Sequence, residues 1–169
     1  LNRIKLEQIR NSKNPVCMHI RMGDCLRPKV ANNYLPRRSY FYKSIEKLKK
    51  SLGEMTIFVF TNSQELARVR FANYDVNFVD INDDDKSYFE LELMRNCQHF
   101  ITSGGGFSRL ASHLSTNKDK KIVIPLYTDF CKDIHDREEE WGYKWDYESN
   151  DWRKIKIVID GTPIQGSVC

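Results

Sequence analysis

The sequence predicts an α/β fold, a doubly wound parallel sheet, and three observations carry that expectation. Five short apolar runs alternate with segments whose apolar residues recur at helical spacing. The best of these runs are apolar at every position rather than at alternate ones, as in strands buried on both faces. Each connection between consecutive runs is long enough for a helical crossover, which favours parallel strands.

The elements follow in order. Leu1 to Asn11 places apolar residues at 1, 4, 6 and 9 among Arg, Lys and Glu, an amphipathic helix that Asn14-Pro15 ends. Val16 to Ile20 is the first strand. Cys25 to Arg38 is a polar loop with Pro28, Pro36 and four basic residues, Arg27, Lys29, Arg37 and Arg38. Ser39 to Ser51 is a helix: Ser39 stands as its N-cap, Phe41, Ile45 and Leu48 share a face, and Gly53 follows its end. Thr56 to Phe60 is a doubly buried strand, and Thr61-Asn62-Ser63 leads into a helix over 64–71. Val76 to Val79 is the third strand. After an acidic loop, Ser87 to Cys97 is a helix with Phe89, Leu93 and Met94 inward. His99 to Thr102 is a short strand, and Ser103 to Ser108 turns into a helix bearing Leu110, Ala111 and Leu114. Lys121 to Pro125 is the fifth strand. Beyond Tyr127 the alternation stops. Asp136 to Trp152 is acidic and aromatic, suited to a helix that lays aromatics on the domain. Ile155 to Ile159 alternates and is expected to add an edge strand. The domain is thus expected over 1–160, with 161–169 as a loose tail.

Composition narrows the function classes. Hydrophobic residues make up 40% and charged residues 30% of 169, which is a globular balance sufficient for one core. A net charge of +4, spread along the chain, permits an anionic small ligand without calling for nucleic acid. No run approaches the roughly 20 apolar residues of a membrane span. The five cysteines (17, 25, 97, 131, 169) are odd in number and fit no zinc spacing. They read as free thiols of a reducing, cytoplasmic compartment. Leu1-Asn2-Arg3-Ile4 carries no initiator Met and no signal pattern, so the chain reads as part of a longer, multidomain protein. An anchor in a preceding segment would instead place it at the Golgi membrane or in its lumen.

Three strand ends carry chemistry, and in an open parallel sheet ligands sit at the carboxyl ends of strands. The first is His19-Ile20-Arg21-Met22-Gly23-Asp24. His19 and Arg21 are two residues apart, so they share one side of a strand. Arg presents a planar fork of donors matched to phosphate oxygens, and Gly23 permits close backbone approach. Asp24 is either a general base or a partner that holds Arg21. The second end is Thr61-Asn62-Ser63. The third is Ser103-Gly104-Gly105-Gly106-Phe107-Ser108-Arg109. Glycines before a helix let backbone N–H groups converge on an anion, although no Walker-type Lys follows. Asp83-Asp84-Asp85 invites a metal reading, but its polar setting favours a solvated loop. His99, His113 and His135 have no partner at metal-ligand spacing, and no His pairs in sequence with Cys25 to activate it.

These residues resemble the α-1,2-fucosyltransferase family, glycosyltransferase family 11. That family carries His-x-Arg-Arg-Gly-Asp at a strand end, matched by residues 19–24 except that Met22 replaces the second Arg. Tyr40-Phe41-Tyr42-Lys43-Ser44-Ile45 is similar to its Tyr-Tyr-x-x-Ala-Ile helix, and Phe58-Val59-Phe60-Thr61-Asn62 to its Phe-x-Phe-Ser-Asp strand end. The run from Glu90 to His99 resembles Asp-Leu-x-Leu-Met-x-x-Cys-x-His, and Phe107-Ser108 the start of Phe-Ser-Trp-Trp. Asp151-Trp152-Arg153-Lys154-Ile155 resembles a motif near the family's C-terminus. Two further departures stand out: Asn-Ser-Thr is replaced by Gly104-Gly105-Gly106, and Trp-Trp by Arg109-Leu110. The family's N-terminal Gly-x-Gly-Asn-Gln is absent.

The resemblance implies the donor-binding, Rossmann-like half of a GT-B glycosyltransferase. It implies an inverting transfer of L-fucose from GDP-fucose to a glycan hydroxyl, without a metal. Arg21 would neutralise the β-phosphate of the leaving GDP, His19 would help seat the nucleotide, and Asp24 would be the base. The donor set would be His19, Arg21, Gly23, Thr61, Asn62 and 103–109. Two other readings stand beside it. One is a nucleotide-sugar-binding module without turnover of its own, or a transferase with another donor. The other is a metal-dependent transferase built on Asp83 to Asp85.

Overall fold

In the computed structural model, residues 1–22, 35–82, 86–142, 157–159 and 162–164 are described. They form a five-stranded, all-parallel sheet in the order β3-β2-β1-β4-β5. The strands are β1 (Pro15–Ile20), β2 (Thr56–Thr61), β3 (Val76–Val79), β4 (His99–Ile101) and β5 (Ile122–Val123). The helices are α1 (Asn2–Asn11), α2 (Arg38–Leu52), α3 (Gln64–Arg70), α4 (Ser87–Arg95), α5 (Gly106–Leu114) and α6 (Ile134–Trp141). The expected α/β class and the alternation of strand and helix are both present.

Strand order explains the two-sided core. From β1 the chain steps outward to β2 and β3, then returns across β1 to reach β4 and β5. Crossovers of one hand therefore put their helices on opposite faces. One face buries Val16, Met18, Ile20 and Met22 with Phe41, Ile45 and Leu48 of α2, Leu66 and Ala67 of α3, and Trp141 of α6. The other buries Cys17, Phe58, Phe60 and Phe100 with Ile9 of α1, Leu93 and Met94 of α4, and Ala111 of α5. β1 is buried along its whole length. Its odd-numbered residues 17, 19 and 21 all belong to the side that α5 covers.

Several local expectations change. Ser39 is not the cap of α2; the helix starts at Arg38 with Arg37 as N-cap, and no side chain of the cap residue bonds into it. A distant residue takes that duty: Glu140 Oε2 of α6 accepts from the Arg38 N–H at 3.1 Å. Gly53 does end the helix, with φ of 72°. Phe89 is exposed rather than inward, and its ring leans on Tyr88 with centroids 4.4 Å apart. Leu110 and Leu114 are likewise exposed, and Ala111 is the residue of that face that enters the core. β5 is shorter than the run that predicts it. It has one neighbour, and Pro125 cannot donate to a ladder.

The C-terminal expectation is also corrected. Ile157–Ile159 (β6) does not join the parallel sheet; it pairs antiparallel with Thr162–Ile164 (β7), inside the segment expected to be a loose tail. The aromatic crossing helix is realised by α6, whose Trp141 is fully buried and donates Nε1–H to the Pro36 carbonyl at 3.1 Å. Trp145 and Trp152 lie outside the described residues, as do Asp83 to Asp85.

Candidate functional site at the strand-order reversal

The reversal of strand order falls between β1 and β4, where an open α/β sheet leaves a crevice at its carboxyl edge. The residues leaving those two strands meet there. His19, near the end of β1, is 8% exposed, and its Nδ1 lies 3.0 Å from Ser103 Oγ, two residues past β4. The Phe107 ring, in the first turn of α5, is 5.9 Å from the imidazole. Burial, with the nearby Arg21 charge adding to it, lowers the His19 pKa from 6.5 to about 4. His19 is therefore neutral at physiological pH.

Arg21 is exposed, and its stem runs beside Gly105: a Cβ built on that glycine would stand 3.9 Å from Arg21 Cδ. Gly105 is the N-cap of α5. A guanidinium and the positive end of a helix thus lie on one side of the sheet edge, a pairing suited to a phosphate. The glycine run is held in place from behind. The Tyr40 hydroxyl sits 2.8 Å from the Thr102 carbonyl and 3.0 Å from that of Val123. The Thr102 N–H donates to the Val123 carbonyl. Gly104 then turns at φ 84° under the Phe130 ring.

The other predicted residues divide. Gly106 and Arg109 are exposed and Phe107 is half-buried, all in the first turns of α5. Ser108 is fully buried, and its Oγ has no partner among the described residues, so it lies inside the domain rather than on a ligand face. Thr61 is also buried, and its Oγ1 accepts from the Ser63 N–H at 3.1 Å. Asn62 is a brace: its Oδ1 accepts from the Met22 N–H at 2.8 Å and ties the end of β2 to the end of β1. Met22 itself is fully buried. Gly23 and Asp24 lie outside the described residues.

Other titratable groups have structural duties. His99 Nδ1 accepts from the Lys121 N–H at 3.1 Å, and burial lowers its pKa. Among the described residues no cluster of three or more His, Cys, Asp or Glu is placed to hold a metal ion. None of their helices is long and apolar enough to cross a membrane.

Sequence reasoning missed two features. One is the His19–Ser103 bond, which joins residues 84 positions apart. The other is a clasp on the start of α2. Arg37 pairs with Asp136 and Glu140 of α6, and Arg70 donates to the carbonyls of Trp141 and Gly142. No periodicity announces either feature.

Parallel strands with charged and glycine-rich ends at a strand-order reversal define an open α/β domain. The model of glycosyl transferase family 11 matches residues 1–149, and the chain belongs to that family. No curated protein matches it. Among solved structures, it is similar to the NodZ alpha-1,6-fucosyltransferase soaked with GDP-fucose, at 20% identity and a TM-score of 0.46, over 68% of this chain and 41% of that one. It is also similar to the selenomethionine form of fucosyltransferase NodZ from Bradyrhizobium, at 19% identity and a TM-score of 0.45, over 67% and 41%. The chain therefore spans about two-fifths of the length of these structures.

Proposed function

We propose that this chain supplies the donor site of an inverting fucosyltransferase of the GT-B type, which moves L-fucose from GDP-fucose to a glycan hydroxyl in α-1,2 linkage. Family membership supports the transferase class. The observation that carries the donor site is the placement of Arg21 beside Gly105 at the N-terminus of α5, on the strand-order reversal. In this reading the guanidinium and the α5 N–H groups receive the diphosphate. Charge that builds on the β-phosphate oxygen as the glycosidic bond breaks meets donors already fixed in place. Asp24 deprotonates the acceptor hydroxyl, and no metal takes part. The acceptor side comes from a further part of the protein, and buried reduced thiols at Cys17, Cys97 and Cys131 suit a cytoplasmic setting.

Calorimetric titration with GDP and GDP-fucose tests the site. Binding is expected, and Arg21→Ala should weaken it about 30-fold, the worth of one charge-assisted contact of ~2 kcal/mol. Arg21 is exposed, so the variant should fold normally. An unchanged titration, or no GDP binding by the native chain, would sink the reading. Fucosyl transfer by the full-length protein, resistant to EDTA and lost in Asp24→Asn, tests the chemistry; activity that EDTA abolishes would return the metal-dependent alternative.

A further inference from the structure

Ser103 and His19 form a buried polar pair. Ser103 is 3% exposed, and among the described residues the partner of its Oγ is His19 Nδ1 at 3.0 Å. A buried hydroxyl that fails to place its proton loses a hydrogen bond outright. The proton of Ser103 therefore goes to Nδ1, the partner that the described residues offer it. Nδ1 must then be the unprotonated nitrogen, and the ring proton sits on Nε2.

We infer that Ser103 is a positioning residue, which holds His19 in the neutral Nε2–H tautomer and so presents a hydrogen-bond donor, without added charge, to an anionic ligand at the carboxyl edge of β1. The inference rests on the donor-site reading for its ligand, not for the tautomer. The charge on Arg21 disfavours a second cation beside it, so a neutral donor is the form that complements the guanidinium. The opposite tautomer would turn a lone pair toward phosphate oxygens. Ser103 thus selects between a ring that attracts the ligand and one that repels it. Phe107, packed on the imidazole, limits the ring's freedom to rotate out of the pair.

Two-bond nitrogen–proton correlation spectra of the full chain, labelled at histidine, read the tautomer of His19 directly. Its signal is assigned by its loss in His19→Gln. His99 serves as an internal control, because a backbone N–H fixes its tautomer independently. The native chain should show Nε2–H at both residues. Ser103→Ala should move the His19 nitrogen shifts and leave those of His99 in place, and Ser103→Thr, which keeps the hydroxyl, should restore them. GDP affinity should fall about five-fold in Ser103→Ala, as for loss of one neutral hydrogen bond, and recover in Ser103→Thr. An Nδ1–H signal for His19 in the native chain overturns the inference, as does a Ser103→Ala spectrum identical to the native one. The spectra need no ligand, so a native chain with the expected tautomer but no GDP affinity would remove the donor-site reading alone.

Discussion

Gly104→Ala should cost more stability than its neighbours can explain, because two separate penalties meet at this residue. Its φ is 84°, in the left-handed region, where an L side chain costs roughly 1–2 kcal/mol. A Cβ there would stand 3.0 Å from Phe130 Cζ and 3.3 Å from Pro125 Cγ. Phe130 is half-buried and its ring can yield a few tenths of an ångström, but Pro125 is buried. The clash therefore adds about 1 kcal/mol, at the low end of overpacking. Stiffening of the unfolded chain returns ~0.5–1 kcal/mol. The net loss is about 2 kcal/mol, a fall of about 1 M in the urea midpoint for a slope of ~2 kcal/mol/M. Gly106→Ala is the matched control: its φ is not positive, nothing lies within 4 Å, and it opens α5, so it should be neutral or gain up to ~1 kcal/mol. Gly104→Asn should fall between them, since Asn tolerates this backbone region better than Ala. Equal midpoints for the Gly104 and Gly106 alanine variants would refute both the strain and the clash.

His19 predicts a pH dependence. Its pKa is lower in the folded state, so between pH 6.5 and about 4 the unfolded chain binds the extra proton. Stability from this group is complete above pH 6.5 and declines as pH falls through that window, by about 3 kcal/mol in all. The measured quantity is the difference between native and His19→Gln unfolding free energies at several pH values; a difference that stays flat from pH 7 to 4 would contradict the burial. Arg37→Ala should cost about 2 kcal/mol by removing the cation shared by Asp136 and Glu140 on neighbouring turns of α6, with Arg37→Lys recovering part of it. Urea titration checks this, and an Ala variant as stable as the native chain would mean that the Arg37 pairs do not hold α6.

What could be read from the sequence follows from which forces are local. β2 is legible because Ile57 to Phe60 is buried on both faces and so must be apolar at every position. The three chemically loaded strand ends were visible for the same reason: His19, Asn62 and Ser103 interrupt apolar runs. Which of them share a crevice was not visible, because strand order is set by long-range pairing. Thr61 and Asn62 end β2, away from the reversal, and there they brace the backbone. The N-cap of α2 is Arg37 rather than Ser39, two residues earlier, because the Arg38 N–H is satisfied by Glu140, 102 positions away.

The alternation of β1 also accounts for the departure at position 22. Residues 16, 18, 20 and 22 face the side covered by α2 and α3, and Met22 is fully buried there. Its backbone N–H is committed to Asn62. A guanidinium at that position would need either a buried partner or a different path for the chain beyond β1, since an unpaired buried charge is not sustained. Position 21, one residue earlier, belongs to the opposite side and opens onto the glycine run. A motif with one arginine therefore keeps the cation that faces α5 and converts the other position into core.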